Sequence, residues 1–399
     1  MASCSDHELG RHVLRIARPE GDVLLQSLTG IVLPADATKE ELQNALFLED
    51  QEDDAISRAL STPVSTLSLT LINTWGCNLR CSHCSVLHRL DGASEHGPDP
   101  EHLTRFLEGY RSERPETSRI HAHFVGGEPL LHIPGAHALF DALETTALPL
   151  QTSVTTNGAV KCTEAVLGFL RRIDRINVSL DGDQTAHDRQ RRFLDSGASP
   201  HDATIAFLEA LVVAGLSDRI HVQAAVTDKH ATPAIRADWY RTLIALGVPV
   251  HQASFLGVHP TAQAPRPGSA WLKGLQAPTL RSRPCCRHRA STHWVVEPSG
   301  ELRPDFYEGP QLGTLHGSLE ALFEAHRAHR EANMPALKDP NCRACPVLGM
   351  CWGGCVQGEA VIGDRPSQFC DQKALITHVN TLAREGRLAQ LATRTQGAH

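Results

Sequence analysis

Three cysteines, Cys77, Cys81 and Cys84, stand in a CxxxCxxC spacing near the first fifth of the chain. Structural zinc sites in proteins take four ligands, so three closely spaced thiolates are one too few for such a site. Three thiolates suffice for a cubane iron–sulfur cluster in which one iron has no ligand from the protein. That iron can bind a small molecule directly. The residues alone also allow a zinc loop completed by His83 or His88.

The cysteines follow residues 67–72, an apolar run with β-branched side chains that predicts a buried strand. From about residue 65 to 257 such runs alternate with stretches of helical periodicity, which predicts parallel strands joined by crossovers. Six units are too few for a closed eight-stranded barrel, so we expect an α/β fold with a partial (β/α)6 barrel. The predicted strands are 65–73, 119–125, 150–156, 174–180, 219–227 and 249–256, and the predicted helices are 100–113, 134–146, 163–172, 202–215 and 232–246.

Polar turns follow the second, third and fourth predicted strands, at the edge of a parallel sheet where ligands bind. The first turn is Gly126-Gly127-Glu128-Pro129, whose glycines let the backbone approach a ligand and whose carboxylate can accept from an ammonium group. Taken alone, each turn is also compatible with an ordinary strand exit. The other two turns contain Thr156 and Asn157, and Ser179, Asp181 and Arg191.

With this loop and these turns the chain resembles the radical SAM enzymes, whose signature is CxxxCxxC on the loop after the first strand. The resemblance implies a [4Fe–4S] cluster bound by Cys77, Cys81 and Cys84. In that family the open iron binds the amino and carboxylate groups of S-adenosylmethionine (SAM), and one electron cleaves SAM to a 5′-deoxyadenosyl radical. Many members carry an aromatic residue just before the third cysteine. This chain has His83 there, whose ring can pack in its place.

The same resemblance assigns residues to SAM. In the family the GGEP motif holds the amino group of SAM, and the copy at residues 126–129 is intact. The pattern SLDG…HD..R is similar to that of radical SAM enzymes with a SPASM extension, in which the serine and an arginine help to bind the ribose and carboxylate of SAM. This implies Ser179 and Arg191 for those roles, with Arg189 and Arg192 as alternatives to Arg191. We also expect Thr156, Asn157 and Asp181, which lie in the same turns, to belong to the SAM-binding site.

A second group of cysteines fills the carboxyl-terminal part of the chain. Seven thiols in two groups exceed any single zinc site. The segment resembles a SPASM domain, which usually carries two auxiliary [4Fe–4S] clusters. The resemblance assigns Cys342, Cys345, Cys351 and Cys370 to the distal cluster and Cys355 to the nearer one, with one of Cys285 and Cys286 as a further ligand.

Asp305 departs from the SPASM pattern, because it stands where that family has a cysteine ligand of the nearer cluster. Three interpretations follow. The carboxylate is an oxygen ligand that shifts the cluster potential, or one iron stays open, or the nearer cluster is absent and Asp305 is a catalytic acid or base. We favour a nearer cluster with incomplete cysteine ligation.

Composition limits the remaining function classes. The chain has 399 residues, a formal charge of −7 and no basic face for nucleic acid. It has no apolar stretch long enough to span a membrane and no signal-like start, so we expect a cytoplasmic protein. Twelve cysteines in such a protein favour metal or redox chemistry over disulfides. Cys4 and Cys162 lie outside both groups.

The predicted organisation has five parts. The leading part contains a hairpin around Pro19-Glu20-Gly21 and a helix that starts at Thr38 with a capping pattern. The last helix, with periodic apolar residues, is expected to pack against the barrel. The predicted boundaries are 1–64 for the leading part, 65–257 for the barrel, 258–283 for a linker, 284–372 for the SPASM segment, and 373–399 for a helix and tail.

The resemblance implies an enzyme that abstracts hydrogen from a peptide. SPASM families mostly act on ribosomally made precursor peptides, and we expect formation of a thioether, carbon–carbon or ether crosslink. A flavodoxin or ferredoxin is the implied electron donor. The alternatives are a formylglycine-forming sulfatase maturase of the anaerobic type and a non-catalytic iron–sulfur or zinc scaffold. The loss of cysteine at position 305 counts against the sulfatase maturase, which keeps full cysteine ligation.

Overall fold

The computed structural model describes residues 9–28, 31–61, 65–84, 86–90, 97–226, 233–257, 292–306, 309–332, 340–346, 348 and 372–384. Within those ranges, no helix combines the length and the apolar character needed to cross a lipid bilayer.

The described elements follow one another along the chain as short strands and helices. The strands are β1 (Val13–Ile16), β2 (Val23–Gln26), β3 (Val32–Pro34), β4 (Thr66–Ile72), β5 (Arg119–Val125), β6 (Leu150–Thr156), β7 (Arg175–Ser179), β8 (Ile220–Val226), β9 (Ala253–Gly257), β10 (His293–Val296), β11 (Glu301–Arg303) and β12 (Gly313–Thr314). The helices are α1 (Lys39–Asn44), α2 (Glu52–Ser61), α3 (Pro100–Glu113), α4 (Ile133–Glu144), α5 (Glu164–Leu170), α6 (Gln184–Gln190), α7 (Pro200–Val213), α8 (Pro233–Ala245), α9 (Leu319–Ala332), α10 (Pro340–Arg343) and α11 (Gln372–Arg384).

A large sheet organises most of the described chain, in the strand order β12-β11-β10-β4-β5-β6-β7-β8-β9. The pairs β5–β6, β6–β7, β7–β8 and β8–β9 are parallel, and helices connect the strands in sequence. This confirms the predicted α/β fold with a partial barrel. Each of the six predicted strands and five predicted helices is present. The sequence did not predict that β10 would pair parallel to β4 and that β11 and β12 would extend that edge.

The outer face of the large sheet is apolar because alternate residues of each strand point toward the crossover helices. In β5 these are Ile120, Ala122 and Phe124, each at most 2% exposed. They belong to one continuous hydrophobic core with residues of the flanking helices, such as Phe140 of α4 and Phe169 of α5. Burial of this face holds the strand ends in fixed positions.

The inner face of the same strands is polar. His123 of β5 contacts Ser153 of β6 through Nδ1, at 2.7 Å from Oγ, and Thr155 through Nε2, at 3.2 Å from Oγ1. On the next strands, the amide of Gln223 donates to Asn177 at 3.3 Å. His123, Ser153, Thr155 and Gln223 are only partly buried although their strands lie inside the sheet. Among the described residues, these inward-facing side chains therefore do not form the packed core of a closed barrel.

The leading part of the chain forms a small antiparallel sheet of β1, β2 and β3. The hairpin predicted around residues 19–21 is confirmed by the pairing of Val13 with Gln26 and of Ile16 with Val23. Helix α1 begins as predicted, with a capping box in which the Thr38 side chain accepts from the amide of Glu41.

The chain divides into two compact units. One contains residues 67–275 and 293–323, and the other contains residues 1–66, 276–292 and 324–399. The prediction that the last helix packs against the barrel is wrong for its described side chains. Val379 and Ala383 of α11 pack with Ile16, Val23 and Leu25 of the small sheet. Their spacing of four residues gives α11 one apolar stripe, and the small sheet covers it.

Candidate functional site

The cysteine loop directly follows β4, at the carboxyl edge of the large sheet. Cys77, Cys81 and Cys84 are each partly buried. The loop is compact, since the amide of Cys84 donates to the carbonyl of Cys81 at 3.2 Å and the amide of Leu79 donates to the Cys77 sulfur at 3.5 Å. The three predicted cluster ligands therefore lie on one short, internally bonded loop.

The electrostatics of the thiols depend first on burial. Burial raises the pKa of Cys77 to about 12 and that of Cys81 to about 11, and it also raises the pKa of Cys84. Repulsion among the three sulfurs adds to the upward shift of the Cys77 pKa. The thiols of the metal-free chain are therefore protonated at neutral pH. Metal or cluster binding has to displace those protons, as it does in other thiolate sites.

The cysteine loop pairs with the segment that follows α6. The amide of Arg80 donates to the carbonyl of Arg192 at 2.8 Å, and the amide of Ser82 donates to the carbonyl of Gln190 at 2.8 Å. An isolated antiparallel bridge joins Leu79 to Phe193. We call residues 78–82 and 190–194 the loop ribbon. It fixes the backbone on both sides of Cys81.

The glycine turn after β5 lies against the start of the cysteine loop. The amide of Gly127 donates to the carbonyl of Thr74 at 3.1 Å, and the amide of Glu128 donates to that of Gly76 at 2.7 Å. A Cβ atom at Gly127 would stand only 2.2 Å from the Gly76 oxygen, so no larger residue fits. Gly126 has a φ of +154° and would meet the Thr74 oxygen at 2.3 Å. Both glycines are needed for this close approach.

The Glu128 carboxylate is fully buried and joins the ends of β5 and β6. It accepts from the Thr156 hydroxyl at 2.7 Å and from the amide of Asn157 at 2.7 Å. It also accepts from the amide of Leu130 at 3.1 Å. Burial raises the pKa of Glu128 to about 7, although these hydrogen bonds oppose the shift. Since both oxygens already have partners, the carboxylate supports the shape of the turn, and Pro129 is buried behind it.

Asn157 connects this turn to the first cysteine. Its side-chain amide donates to the Asn78 side chain at 2.9 Å and lies 3.9 Å from the Cys77 sulfur. Its side-chain oxygen accepts from the amide of Ala159 at 2.7 Å. The structure therefore brings together the first cysteine and two of the turns that the sequence placed on one edge.

Asp181 and Arg191 form a buried ion pair at the end of β7. The guanidinium donates from Nε and Nη2 to the two carboxylate oxygens, at 2.6 and 3.1 Å, and Arg191 is only 8% exposed. Asp181 also accepts from the amide of Ala225 of β8 at 2.8 Å. Burial alone would raise the pKa of Asp181, but Arg191 beside it lowers that pKa to about 2. Asp181 is therefore ionised, and the pair remains charged.

Two histidines flank this ion pair in their neutral form. Burial lowers the pKa of His187 to about 4, and its Nδ1 accepts from the amide of Asp181 at 3.1 Å. Burial also lowers the pKa of His83 to about 4, and its Nε2 lies 3.9 Å from the Asp181 carboxylate. His83 occupies the position before Cys84 that is aromatic in many radical SAM enzymes. Its ring is directed toward the ion pair.

Ser179, the remaining predicted SAM contact on β7, is its last residue and is partly buried. It pairs with Gln223 of β8 and stands two residues before Asp181. The predicted SAM residues on β5, β6 and β7 thus all lie at the carboxyl ends of adjacent strands.

Sequence reasoning missed Glu297, whose carboxylate contacts both sides of the cysteine loop. One oxygen accepts from the Trp75 indole at 2.8 Å, and the other lies 2.8 Å from the Arg89 guanidinium. Arg303 of β11 approaches the same oxygen at 3.2 Å. Arg89 also lies over the Trp75 ring, 4.6 Å from its centroid. The only sequence signal was an acidic residue directly after the apolar run of β10, which is not specific.

The Asp305 turn follows β11, and Asp305 is only 8% exposed. Its neighbour Phe306 stacks on Trp75 with ring centroids 5.7 Å apart. Phe306 belongs to the same apolar cluster as Cys77 and Cys84. The turn with the missing cysteine is thus part of the packing around the cysteine loop.

Most of the predicted auxiliary-cluster ligands lie outside the described residues, namely Cys285, Cys286, Cys351, Cys355 and Cys370. Cys342 is described only as part of α10. Cys345 is partly buried, and its carbonyl lies 2.9 Å from Nδ1 of His12. The auxiliary ligand sets remain predictions.

The three thiols of the cysteine loop fit a cluster bound by three thiolates, because they share one fixed loop and keep partly exposed side chains. Among the described His, Cys, Asp and Glu residues, no group of three or more meets at one point as the ligands of a single metal ion do. The ligands of a cubane cluster bind separate irons and need not meet at one point. This finding therefore argues against a single zinc ion at the described residues and not against a cluster.

Comparison with known proteins gives one family and several relatives. The family model described as the radical SAM superfamily matches residues 72–236. The GTP 3′,8-cyclase 2 of Mycobacterium bovis is 36% identical over 126 residues, which are 28% of this chain and 30% of the cyclase. The same enzyme of Mycobacterium tuberculosis gives the same values. The chain therefore spans less than a third of the length of these curated relatives.

Solved structures extend the similarity beyond the matched family region. Native anSMEcpe with bound AdoMet and the Cp18Cys peptide superimposes with a TM-score of 0.60 at 18% identity, covering 82% of this chain and 99% of that one. Native anSMEcpe with AdoMet alone gives a TM-score of 0.60 at 17% identity. At such low identity the likeness shows a shared fold.

Proposed function

We propose that this chain, whose residues 72–236 match the radical SAM superfamily model, is a radical SAM enzyme that matures a ribosomally made peptide by forming a crosslink. The bond would be a thioether, a carbon–carbon bond or an ether. The proposal includes a precursor peptide as substrate, a cytoplasmic location, a flavodoxin or ferredoxin as electron donor, and no nucleic-acid or membrane partner.

The position of the cysteine loop is the main support for the proposed cofactors. The loop is fixed by the glycine turn on one side and by residues 190–194 of the loop ribbon on the other. Two backbone hydrogen bonds tie the loop to Gly127 and Glu128, and two more tie it to residues 190–192. The cysteines are thereby fixed beside the ends of β5, β6 and β7. A three-thiolate site beside a polar strand edge is what a cluster with one open iron and a bound amino-acid group requires.

The cofactors would supply one-electron cleavage of SAM to a 5′-deoxyadenosyl radical, which abstracts hydrogen from the peptide. The chain would hold the cluster through Cys77, Cys81 and Cys84. Partly exposed backbone at Gly127 faces the site and can receive the ammonium group of SAM, since the Glu128 carboxylate is buried and already bonded. Ser179 would contact the ribose or carboxylate. The apolar core behind the strands excludes water from their outer face.

Three observations support a peptide substrate. The carboxyl-terminal cysteines resemble those of peptide-modifying SPASM enzymes. The similar fold of anSMEcpe was solved with a peptide bound. The partly accessible inner face of the sheet presents His123, Thr155 and Gln223, which can hydrogen-bond to a polar side chain or a peptide amide.

Two other enzyme activities are the main alternatives. Sulfatase maturation is favoured by the fold match to the sulfatase maturase anSMEcpe over most of both chains. Asp305 in place of a cysteine weighs against it. Cyclisation of GTP is favoured by the 36% identity to a GTP 3′,8-cyclase, but over a segment that covers only 28% of this chain. A non-catalytic scaffold would not require the close fit of Gly127 against Gly76.

Anaerobic reconstitution tests the proposal. We expect about eleven or twelve irons per chain if two auxiliary clusters form with the first, and 5′-deoxyadenosine on addition of SAM and reductant. Cys81→Ala should abolish 5′-deoxyadenosine formation while the carboxyl-terminal clusters remain. Cys162→Ala, which changes a partly buried cysteine outside both groups, is the control. Formation of 5′-deoxyadenosine by Cys81→Ala would refute the assigned cluster.

The substrate class needs a second assay. The wild-type enzyme is incubated with the short peptide encoded beside its gene, with a cysteine-containing sulfatase peptide, and with GTP. Loss of two hydrogen atoms from the encoded peptide, with a new crosslinked fragment in the mass spectrum, supports the proposal. Formylglycine in the sulfatase peptide or a cyclised nucleotide would replace it.

The role of Asp305 is tested separately. If Asp305 is a ligand of the nearer auxiliary cluster, Asp305→Cys should change the electronic spectrum of that cluster. An unchanged spectrum with unchanged iron content would mean that Asp305 is not a ligand. Glu301→Cys, which changes a partly exposed residue of the preceding strand, controls for an added thiol.

A further inference from the structure

The loop ribbon places Cys81 opposite Arg191. Arg80 bonds to Arg192 and Ser82 bonds to Gln190, so the two segments pair in one antiparallel register. In that register Cys81, which lies between Arg80 and Ser82, is directly opposite Arg191, which lies between Gln190 and Arg192. Residues directly opposite in an antiparallel pair have side chains on the same face, with Cβ atoms about 4.5–5.5 Å apart. Cys81 and Arg191 are therefore cross-strand neighbours.

Arg191 cannot turn away from this position. Two of its nitrogens donate to Asp181 at 2.6 and 3.1 Å, and its side chain is only 9% exposed. Asp181 is in turn fixed by the amide of Ala225 on β8. Burial is the largest influence on the pKa of the Cys81 thiol and raises it, but the nearby positive charge of Arg191 acts in the opposite direction and lowers it. One carboxylate thus holds one guanidinium in a fixed place against one of the three cluster thiols.

We propose that Arg191, held by Asp181, is a positioning residue that places a fixed positive charge against the Cys81 sulfur and raises the reduction potential of the cluster bound there. The inference rests on the proposed function, because it requires that cluster. It goes beyond the contact with the SAM carboxylate that family resemblance implies for Arg191, because the charge acts on the cluster whether or not SAM is bound.

The sign of the effect follows from charge. Reduction adds one electron, supplied by the external donor, to a cluster that already carries three thiolates, and no bond is made or broken. A cation fixed nearby stabilises the reduced state more than the oxidised state, and burial strengthens that interaction. Asp181 has the opposite sign and partly offsets the effect of Arg191.

The chain contains its own control. Arg192 is the next residue of the same ribbon, and its carbonyl makes the bond to Arg80, but its side chain is exposed. Exposed charges are screened by water and salt. Arg192→Gln removes the same charge from the same segment without removing a buried group from the Cys81 side.

The test is the midpoint potential of the SAM-free cluster in the reconstituted full-length enzyme, from an EPR-monitored redox titration. The signal is identified by its absence in Cys81→Ala. Arg191→Gln should shift the potential to more negative values, Arg191→Lys should stay near wild type, and Arg192→Gln should not change it. Asp181→Asn should shift it in the opposite direction, to more positive values.

Iron content of each variant is measured first. If Arg191→Gln retains too little iron, Arg191→Lys and Asp181→Asn decide the question. Equal potentials in wild type and Arg191→Gln, or shifts of the same sign in Arg191→Gln and Asp181→Asn, would overturn the inference, since the second result indicates a loosened loop. A wild-type chain without the Cys81-dependent cluster would refute the proposed function itself.

Discussion

Two buried carboxylates at the carboxyl ends of β5 and β7 differ in what surrounds them. Glu128 accepts from one hydroxyl and two backbone amides, all uncharged, and burial raises its pKa to about 7. Asp181 is equally buried, but Arg191 outweighs burial and its pKa is lowered to about 2. Burial alone therefore does not determine the charge of these two carboxylates. The charge of the group nearest to each carboxylate determines it.

The difference separates two tasks at one strand edge. The Glu128 turn shapes the backbone that approaches the cysteine loop, and the raised pKa of its carboxylate keeps that group neutral only below about pH 7. The Asp181 turn holds a permanent ion pair in which the Arg191 guanidinium is fixed beside Cys81. One side of the cysteine loop therefore faces uncharged backbone, and the other faces fixed charge.

The comparison predicts the largest stability loss for Asp181→Asn. This change leaves the buried Arg191 without its counter-charge, which typically costs about 3–5 kcal/mol. Anaerobic urea unfolding of the cluster-loaded protein should show a midpoint well below that of wild type. A loss no larger than that of the matching change at Glu128 would mean that the ion pair is not what distinguishes the two sites.

Glu128→Gln should cost less, about 2–3 kcal/mol, because it leaves buried donors partly unsatisfied but no unpaired charge. Urea unfolding under the same conditions checks it. The exposed Glu164→Gln, in the first turn of α5, is the control and should change the midpoint little.

The two sites should respond oppositely to pH. The raised pKa of Glu128 means that its contribution is present below about pH 4.5 and is lost as pH rises through about 7. The stability of wild type relative to Glu128→Gln should therefore fall by about 2 kcal/mol between pH 5 and 7.5. Unfolding midpoints of both proteins at the two pH values test this. An unchanged difference between the two proteins over this range would show that Glu128 is ionised throughout, because a group that is ionised in both the folded and the unfolded state adds no pH dependence.

For Asp181 the sign reverses. Its lowered pKa gives a contribution that is present above pH 3.8 and is lost as pH falls through about 2, so this group contributes no slope near neutrality.

The smallest expected effect is that of Thr156→Val, about 1–2 kcal/mol, because it keeps the side-chain shape and removes the hydroxyl that donates to Glu128 at 2.7 Å and accepts from the amide of Gly158 at 3.0 Å. Thr156→Ser, which retains the hydroxyl, should behave like wild type in the same unfolding assay. A loss in Thr156→Ser as large as that in Thr156→Val would mean that the hydroxyl is not what stabilises this position.

Much of the large sheet was predictable from periodicity. Residues 119–125 alternate between apolar and polar, and the structure buries the apolar set against helices. The cysteine spacing and the glycine turn were also readable, because each is a short local motif. Residues that are close in the sequence remain close in the folded structure, so a short motif can be recognised from the sequence alone.

Contacts between distant segments were not predictable in this way. The pairing of residues 78–82 with 190–194 depends on where α6 ends, and no local pattern encodes that meeting. Asp181 was expected to contact SAM, and its bond to Arg191 was not foreseen. Glu297 was missed because β10 joins β4 from more than two hundred residues away.

The Glu297 contacts bear on how this enzyme can be shortened or recombined. Residues 72–236 contain all three loop cysteines, yet the carboxylate shared by Trp75 and Arg89 lies outside them. A fragment cut at the family boundary would leave the indole without its acceptor and the guanidinium without its counter-ion. The set of residues that holds the cysteine loop in place is thus discontinuous in sequence, and a shortened chain that keeps these contacts has to include residues 293–306.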